Sequence, residues 1–271
     1  LYLGFVAVLW ASGVNFLVVV IVAGLLLGVQ YFYSDRLVLK SMGAREVSPD
    51  EAPELHATVE RLCALADLPK PRIAVVKTSI PNAFATGRNP EAAAVAVTTG
   101  LLDQLAQPEL EGVLAHELSH VRHRDATVIT LASFFALIAQ LLMRSFLWGG
   151  IYRGRRQGAG GVVLIYLTSL VVWVISFFLI RALSRYRELA ADRGAAVITG
   201  APSQLSSALL KISGTMQRIP SQDLRQVEAM NAFFIIPALS GGAISELFST
   251  HPSLERRLDQ LQQLERQMEG R

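Results

Sequence analysis

The segment Leu114–Asp125 reads Leu-Ala-His-Glu-Leu-Ser-His-Val-Arg-His-Arg-Asp, and it decides what the rest of the chain has to build. It continues a predicted helix that starts at Pro108. On such a helix His116 and His120 are four residues apart and share one face, so both imidazoles can reach one metal ion. Glu117 stands beside them, where it can take a proton from a metal-bound water. A plain polar helix face at the end of a membrane segment is the alternative.

The composition points to a membrane. Of the 271 residues, 52% are hydrophobic and only 17% are charged, a balance that is too apolar for an ordinary soluble domain. The net charge of +3 is a weak signal for the whole chain. The single cysteine, Cys63, excludes an internal disulfide and a zinc site built from cysteines.

Three apolar runs are long enough to cross a bilayer, namely Val14–Tyr33, Thr127–Trp148 and Gly161–Ile180. A run of about 20 residues spans about 30 Å as a helix, which matches the hydrocarbon core. The Gly- and Arg-rich connector Gly149–Gly160 makes the second and third runs a predicted helical hairpin. Residues 1–11 are expected to be the remnant of an earlier, truncated span.

The spans divide the chain into four predicted segments. They are an N-terminal transmembrane region at 1–33, a first part of a catalytic domain at 34–126 with a sheet and the metal helix, a transmembrane hairpin at 127–180, and a second part of the catalytic domain at 181–271 with a further ligand and a C-terminal helix. Strands predicted at Arg72–Lys77, Ala83–Thr86 and Ala93–Thr98 suggest a small antiparallel β-sheet. A capping-box pattern at Ser48–Glu51 predicts a helix from there to about residue 66. The fold class is therefore a mainly α-helical integral membrane protein with a small antiparallel sheet.

A second acidic pair follows the hairpin, in the predicted helix Arg187–Asp192. Glu188 could complete a site of two histidines and one glutamate that leaves a fourth position for water. Asp192 lies one turn later on the same face, where it can accept a hydrogen bond from a ligand histidine. Alternatively, Glu188 pairs with a neighbouring arginine on a hydrated helix face. Because most of the interval from His120 to Glu188 is apolar hairpin, we expect the site to lie close to the membrane surface.

Four motifs together resemble the membrane-bound zinc metallopeptidases of the HtpX family, relatives of the CAAX prenyl endopeptidases. In order, they are Asn82–Gly87 (NAFATG), Leu114–Asp125, Ser184–Asp192 (SRYRELAAD) and Thr250-His251-Pro252, with the hairpin between the second and the third. The resemblance covers essentially the whole chain. It implies a gluzincin-type protease domain with one Zn²⁺ per chain, held by His116, His120 and Glu188, with Glu117 as the general base. It also implies proteolysis of misfolded or damaged membrane proteins by a site that faces the cytoplasm.

Four further residues are candidates for smaller roles. In the resembling family a histidine at the position of His251 lies near the metal, and it could hydrogen-bond the oxyanion; capping of the helix that follows is the alternative. Asn82 and Ala83 begin a predicted edge strand that could pair with an extended substrate, unless the segment is a plain hairpin loop. His123 is expected to point away from the metal. Asp125 could support the site or pair at the membrane interface.

Basic residues near the span ends predict the orientation. Eight of them lie beside the polar segments and three lie at the hairpin tip, which favours a cytoplasmic catalytic domain under the positive-inside rule. Together with the resemblance, this orientation implies an integral protein of the bacterial inner (cell) membrane. Its predicted partners are unfolded or membrane-protein substrates and the lipid bilayer, with no nucleic acid.

Three other functions share parts of the pattern. A CAAX-type prenyl-protein endopeptidase has the same site, but that family builds a large chamber from more spans than this chain offers. An inactive, zinc-containing membrane scaffold would have no use for a base at Glu117. A zinc transporter would place its ligands inside the spans, whereas here they lie outside.

Overall fold

The structure is a computed structural model that describes residues 16–153, 159–219, 235 and 249–270. The predictions for residues 1–15 and for the hairpin tip at 154–158 lie outside the described residues. The chain divides into two compact units, one of Leu1–Phe32 with Val128–Ala182 and one of Tyr33–Thr127 with Leu183–Arg271. The assignment of the four sequence segments to membrane and protease parts stays a prediction.

The described elements are mostly helices. In chain order they are α1 (Phe16–Ser41), β1 (Ala44–Glu46), α2 (Pro53–Ala66), β2 (Arg72–Val76), β3 (Ala83–Thr86), a 3₁₀ turn (Pro90–Ala92), β4 (Ala94–Thr98), α3 (Thr99–Gln104), α4 (Gln107–Arg122), α5 (Asp125–Arg153), α6 (Ala159–Thr199), α7 (Pro202–Met216) and α8 (Leu254–Glu269). The predicted fold class, mainly helical with a small sheet, is confirmed.

The described part of the first unit consists of the apolar parts of three of these helices, α1, α5 and α6. Within the described residues one stretch, Tyr166–Thr199 in α6, is long and apolar enough to cross a membrane, and Asp125–Gln140 in α5 is a shorter apolar stretch. Large apolar side chains such as Leu167, Val171 and Leu179 are more than half exposed along α6. Lipid contact would give such side chains the apolar surroundings that they lack in water.

The sheet belongs to the second unit and has the strand order β1-β2-β4-β3. β1 pairs antiparallel with β2 and β3 pairs antiparallel with β4, but β2 and β4 are parallel. The prediction of a purely antiparallel sheet is therefore wrong, and the sheet is mixed. The reason is that the chain passes from β2 to the outer strand β3 and then returns between them as β4. Because β3 runs in the opposite direction to β2, β4 is antiparallel to β3 and parallel to β2.

The predicted helix at Ser48 begins later than its capping pattern suggests. Glu51 Oε2 accepts a hydrogen bond from the Ser48 N–H at 2.9 Å, which is one half of a capping box. The bond closes a turn, however, and α2 begins only at Pro53. Proline is favoured at the first position of a helix, because it has no N–H to leave unsatisfied there.

The hydrophobic core of the second unit fixes α4. Leu114 and Leu118 of α4 are fully buried, as are Leu62 of α2, Leu209 of α7 and Leu261 of α8. Burying each such side chain contributes about 1.5–3 kcal/mol. The apolar stripe of α4 lies in one core with these three helices, and α2 and α7 pack directly against it, so the rotation of α4 about its axis is set. The polar side chains between those leucines are therefore directed to one defined place.

A buried carboxylate ties α4 to α7. Glu109 accepts hydrogen bonds from the Ser207 hydroxyl at 2.6 Å and from Lys211 Nζ at 2.7 Å, and it also accepts one from the Ala106 N–H at 2.8 Å. Burial raises the pKa of Glu109, but these donors together outweigh it and hold the pKa below its usual value. Both carboxylate oxygens of the buried Glu109 therefore accept hydrogen bonds.

We expect Glu109→Gln to lower the free energy of unfolding by about 1–2 kcal/mol at neutral pH, because it leaves Lys211 without its buried anion. The folded-state pKa of Glu109 is lowered, so this difference is present above the ordinary carboxyl pKa and is lost as the pH falls through the lowered value. Thermal unfolding in detergent measures it. Glu111→Gln is the control, since Glu111 pairs with the exposed Arg61 and should change stability by less than about 0.5 kcal/mol. Equal effects of the two variants would show that the buried pair of Glu109 and Lys211 contributes no more than the exposed pair of Glu111 and Arg61.

Candidate metal centre

Helix α4 presents the two histidines to one point. His116 and His120 are one turn apart, and their Nε2 atoms are 3.1 Å apart. The His116 side chain is fully buried, whereas His120 keeps 18% of its side chain exposed. The sequence prediction of two imidazoles on one face is therefore confirmed.

Helix α6 brings Glu188 to the same point. Its Oε1 lies 3.4 Å from His120 Nε2 and its Oε2 lies 3.8 Å from His116 Nε2. The ligand atoms of the three residues all lie within 4.8 Å of one another. The two neighbouring arginines make contacts elsewhere: Arg185 donates to the Ser249 carbonyl oxygen, and Arg187 pairs with Asp125.

These three residues fit a zinc ion. Donor atoms on a tetrahedral zinc at about 2.0–2.1 Å would be about 3.3 Å apart, close to the separations found here. Charge gives a second test. Four carboxylates meet around the histidines, from Glu117, Asp125, Glu188 and Asp192, against the two guanidiniums of Arg187 and Arg257. The formal sum of these groups is −2, and a buried excess of negative charge is unfavourable unless a cation compensates it. A divalent ion would balance it.

A close helix crossing sets the distance between the ligands. Gly194 of α6 packs directly on Ser119 of α4, so that a Cβ added at Gly194 would lie 1.8 Å from the Ser119 hydroxyl oxygen. Ser119 is fully buried. Only glycine therefore lets α6 approach α4 closely enough to bring Glu188 to the histidines.

The Nδ1 atom of His116 faces a buried carboxylate. It lies 2.9 Å from Asp192 Oδ1. Arg257 of α8 donates from Nε to Asp192 Oδ2 at 2.9 Å and from Nη2 to Oδ1 at 2.6 Å. Burial alone would lower the pKa of Arg257, but Asp192 raises it above its usual value. The predicted place of Asp192, beside a ligand histidine, agrees with this geometry.

The Nδ1 atom of His120 has an equivalent partner. It lies 2.6 Å from Asp125 Oδ2, and the other oxygen of Asp125 pairs with Arg187. The Nδ1 atom of each candidate zinc histidine thus contacts an aspartate, and each of these aspartates pairs with an arginine. The hydrogen bond at Nδ1 of His120 fixes the tautomer that leaves its Nε2 free to bind a metal.

Glu117 lies next to the candidate ligands on α4 and is buried. Its Oε2 accepts a hydrogen bond from the Ala85 N–H at 2.8 Å. Burial raises the pKa of Glu117 above its usual value, while His116 and His120 oppose that rise. A carboxylate held in this way is suited to receive a proton.

His251 reaches the site from the loop before α8. Its Nδ1 lies 3.1 Å from Glu188 Oε2 and the side chain is buried. Its backbone N–H donates to the Ser249 hydroxyl at 3.1 Å. The alternative role as a helix cap is not found, because Ser253 caps α8 by accepting from the Arg256 N–H. His251 therefore belongs to the centre.

Strand β3 forms the edge of the sheet, as predicted, and runs beside α4. The Thr98 N–H donates to the Asn82 carbonyl oxygen at 2.9 Å. Since backbone groups alternate in direction along a strand, those of Ala83 and Ala85 turn away from β4. The side chain of Asn82 is buried, and its Oδ1 accepts from the Ile235 N–H at 3.0 Å. Of the two residues predicted to contact substrate, Ala83 has the outward backbone and Asn82 an inward side chain.

The remaining histidines lie outside the centre. His123 is exposed at the C-terminal cap of α4, as expected, and burial of part of its ring lowers its pKa. His56 of α2 makes a contact of 3.0 Å between its Nε2 and the Val47 carbonyl oxygen.

The sequence reasoning missed Arg257 and the crossing at Gly194. One signal for Arg257 was available. In α8 the positions 254, 257, 261 and 264 follow helical spacing, and all but 257 are leucine. An arginine on an apolar stripe has to meet a buried anion. No local sequence pattern predicts the contact between Ser119 and Gly194, because these residues are 75 positions apart.

Known proteins resemble this chain over nearly all of its length. The sequence pattern of Peptidase family M48 matches residues 49–265. The chain is 64% identical to the Protease HtpX homolog of Moorella thermoacetica, covering 100% of this chain and 92% of that protein. It is 57% identical to the Protease HtpX homolog 2 of Methanosarcina mazei, covering 98% and 91%.

A solved structure has the same fold. The crystal structure of S. mikatae Ste24p superposes with a TM-score of 0.62 at 18% identity, over 96% of this chain. The chain spans 61% of the length of that structure.

We expect Gly194→Ala to remove bound zinc from the purified protein, because the new methyl group would push α6 away from α4. Metal analysis measures the loss. Gly214→Ala in α7 is the matched control, since nothing lies within 4 Å of the added methyl group. Adding Ser119→Gly to Gly194→Ala should restore part of the zinc. Full zinc content in Gly194→Ala alone would show that the crossing does not set the ligand distance.

Proposed function

The chain belongs to peptidase family M48 and is a membrane zinc metalloprotease, and we propose that its zinc is held by His116, His120 and Glu188 with Glu117 as the general base. The observation that carries the assignment is the meeting of three ligand atoms within 4.8 Å, with a buried glutamate beside them. We further propose that it cleaves unfolded or membrane-associated proteins at the cytoplasmic face of the cell membrane.

The reaction is the hydrolysis of a peptide bond. A bound zinc ion supplies two things, acidification of water and polarisation of a carbonyl. Glu117 takes the proton of the attacking water and delivers it to the leaving nitrogen. Because the Ala85 N–H already occupies Oε2 of Glu117, Oε1 is the oxygen that receives this proton. The bond to Ala85 also holds the carboxylate in place, which reduces the reorganisation needed at each turnover.

His251 would stabilise the charge that develops on the substrate. Its buried ring lies beside Glu188, on a loop that is anchored through Ser249 and Arg185. A ring N–H directed at the developing oxyanion acts only in the transition state and therefore raises kcat. Such a donor typically contributes about 10²–10³ in rate.

The edge strand β3 would hold the substrate. The N–H and C=O of Ala83 turn away from β4 and would be the groups that pair with an extended peptide, and the next outward group along the strand, the Ala85 N–H, contacts the base. Ala83 is buried in this structure, so that side of the strand has to be uncovered before a peptide can pair there. Pairing through backbone atoms is independent of side chains. This suits a protease whose substrates share unfolded backbone and not one sequence, as expected for protein quality control.

The proposed location rests on the apolar helices and on the distribution of basic residues. The apolar stretch in α6 and the eight basic residues beside the polar segments favour an integral protein with a cytoplasmic catalytic part. Prenylated C-termini are the alternative substrate class. The full-length identity to proteins called Protease HtpX homolog favours general proteolysis over that alternative.

We expect Glu117→Gln to abolish cleavage of an unfolded protein such as casein, while one zinc per chain remains bound. Glutamine keeps the size of the side chain but cannot accept the proton. A fluorescent casein assay and metal analysis give the two readings. Glu255→Gln, at an exposed position of α8, is the control and should retain full activity. Turnover by Glu117→Gln above about one percent of wild type would remove Glu117 from the role of base.

The orientation can be tested with single cysteines. In a Cys63→Ser background, we expect Gln262→Cys, at an exposed position of α8, to react with a membrane-impermeant maleimide only after the cells are opened. Gln157→Cys, in the connector between the second and third apolar runs, should react in intact cells. The reverse pattern would place the catalytic part outside. Reaction of both only in opened cells would mean that the hairpin does not cross.

A further inference from the structure

Asp125 makes the shortest contact to either candidate zinc histidine. Its Oδ2 lies 2.6 Å from His120 Nδ1, and the two side chains are 13% and 18% exposed. We infer that Asp125 is a positioning residue for the zinc ligand His120, and that Arg187 acts through Asp125. The inference rests on the zinc site proposed above. It adds two residues whose effect on the metal passes through the second histidine.

His120 needs an external support more than His116 does. It lies in the last turn of α4, which ends at Arg122. Helix ends fray, and backbone bonds there constrain a side chain less than in the middle of a helix. His116 is one turn further inside and is fully buried. Without a partner at Nδ1, the His120 ring could rotate and offer either nitrogen to the metal.

The turn after α4, which brings Asp125 to His120, contains a residue in an unfavourable backbone conformation. Arg124 has a φ of 53°, in the left-handed region that residues other than glycine rarely adopt. This conformation is unfavourable for a residue that has a Cβ atom. The turn lets α5 begin at Asp125, only five residues after His120, with its carboxylate against the ring. Unfavourable backbone conformations persist where the surroundings fix them, and here the carboxylate contact is what the turn provides.

Arg187 completes the arrangement from α6. Its buried guanidinium pairs with Asp125 Oδ1, the oxygen that does not face His120. This leaves Oδ2 to accept the Nδ1–H of His120, so that His120 Nε2 keeps its lone pair for the metal. Arg187 is also the residue before Glu188. Arg187 therefore links the contact that positions His120 to the part of α6 that carries Glu188.

A purely structural pair would give different results. If Asp125 and Arg187 only joined α5 to α6, their replacement would change stability and leave the metal unaffected. A positioning role instead predicts a change in zinc affinity and in the electronic environment of the metal. Partners of this kind typically contribute 10–100-fold to metal affinity.

The experiment uses the full chain, purified in detergent and freed of metal. Zinc affinity is measured by competition with a chromophoric chelator for wild type, Asp125→Asn, Arg187→Gln and the double variant. Asp103→Asn, at an exposed position of α3, is the matched control. The visible absorption spectrum of the Co²⁺-substituted protein reports the ligand field. Circular dichroism of the metal-free proteins checks that each variant is folded.

We expect Asp125→Asn to weaken zinc binding by about 10–100-fold and to shift the Co²⁺ bands, with Asp103→Asn unchanged. Arg187→Gln should have a smaller effect. The double variant should match Asp125→Asn within about twofold, because residues that act in series are not additive. An additive double variant would overturn the role of Arg187. Affinity within about twofold of wild type and an unshifted spectrum in Asp125→Asn would overturn the role of Asp125.

Two further results keep the test decisive. If Asp125→Asn does not fold, Asp125→Glu keeps the charge and moves the carboxylate by one methylene, and it too should weaken zinc binding and shift the Co²⁺ bands. Unchanged values in a folded Asp125→Glu would overturn the inference. If wild type itself binds no zinc, the zinc site fails and the inference fails with it. If wild type binds one zinc and the variants bind it equally well, only the inference fails.

Discussion

Where Gly194 of α6 crosses Ser119 of α4, there is no room for one additional methyl group. Everything at the centre depends on that contact. The histidines belong to α4, and Glu188 and Asp192 belong to α6. The distance between the two helices therefore sets the distance between the histidine and glutamate ligands. Packed interiors do not deform continuously, because each atom already has neighbours at contact distance. The crossing therefore acts as a fixed spacer for the metal.

Charge is the second constraint, and it follows from the first. Two helices that cross so closely bring several carboxylates together away from water, which is unfavourable for each of them. Two buried arginines, Arg257 of α8 and Arg187 of α6, compensate part of this negative charge. The negative charge that they leave matches a divalent cation. The same groups that make the site attractive to zinc would thus destabilise the fold if the metal were lost, which couples metal binding to folding.

The sequence allowed accurate prediction only of what is local or chemically explicit. His116, Glu117 and His120 follow from one helical turn, and the apolar runs predicted helices that the structure contains where it is described. Glu188 needed a comparison across the hairpin. Arg257 could have been found from its place on an apolar stripe. The mixed sheet and the Ser119–Gly194 contact could not, because strand order and helix crossing depend on residues distant in sequence.

The two histidines are held in different ways, and the difference has consequences. His116 depends on Asp192 and Arg257, which are both inside the core of the second unit. His120 depends on the first residue of α5 and on a residue of α6, and both of these helices continue into the apolar first unit. The contacts around His116 thus respond to the stability of the core. Of the two histidines, His120 is therefore the one whose supports, Asp125 and Arg187, lie nearest to the points where α5 and α6 pass into the first unit.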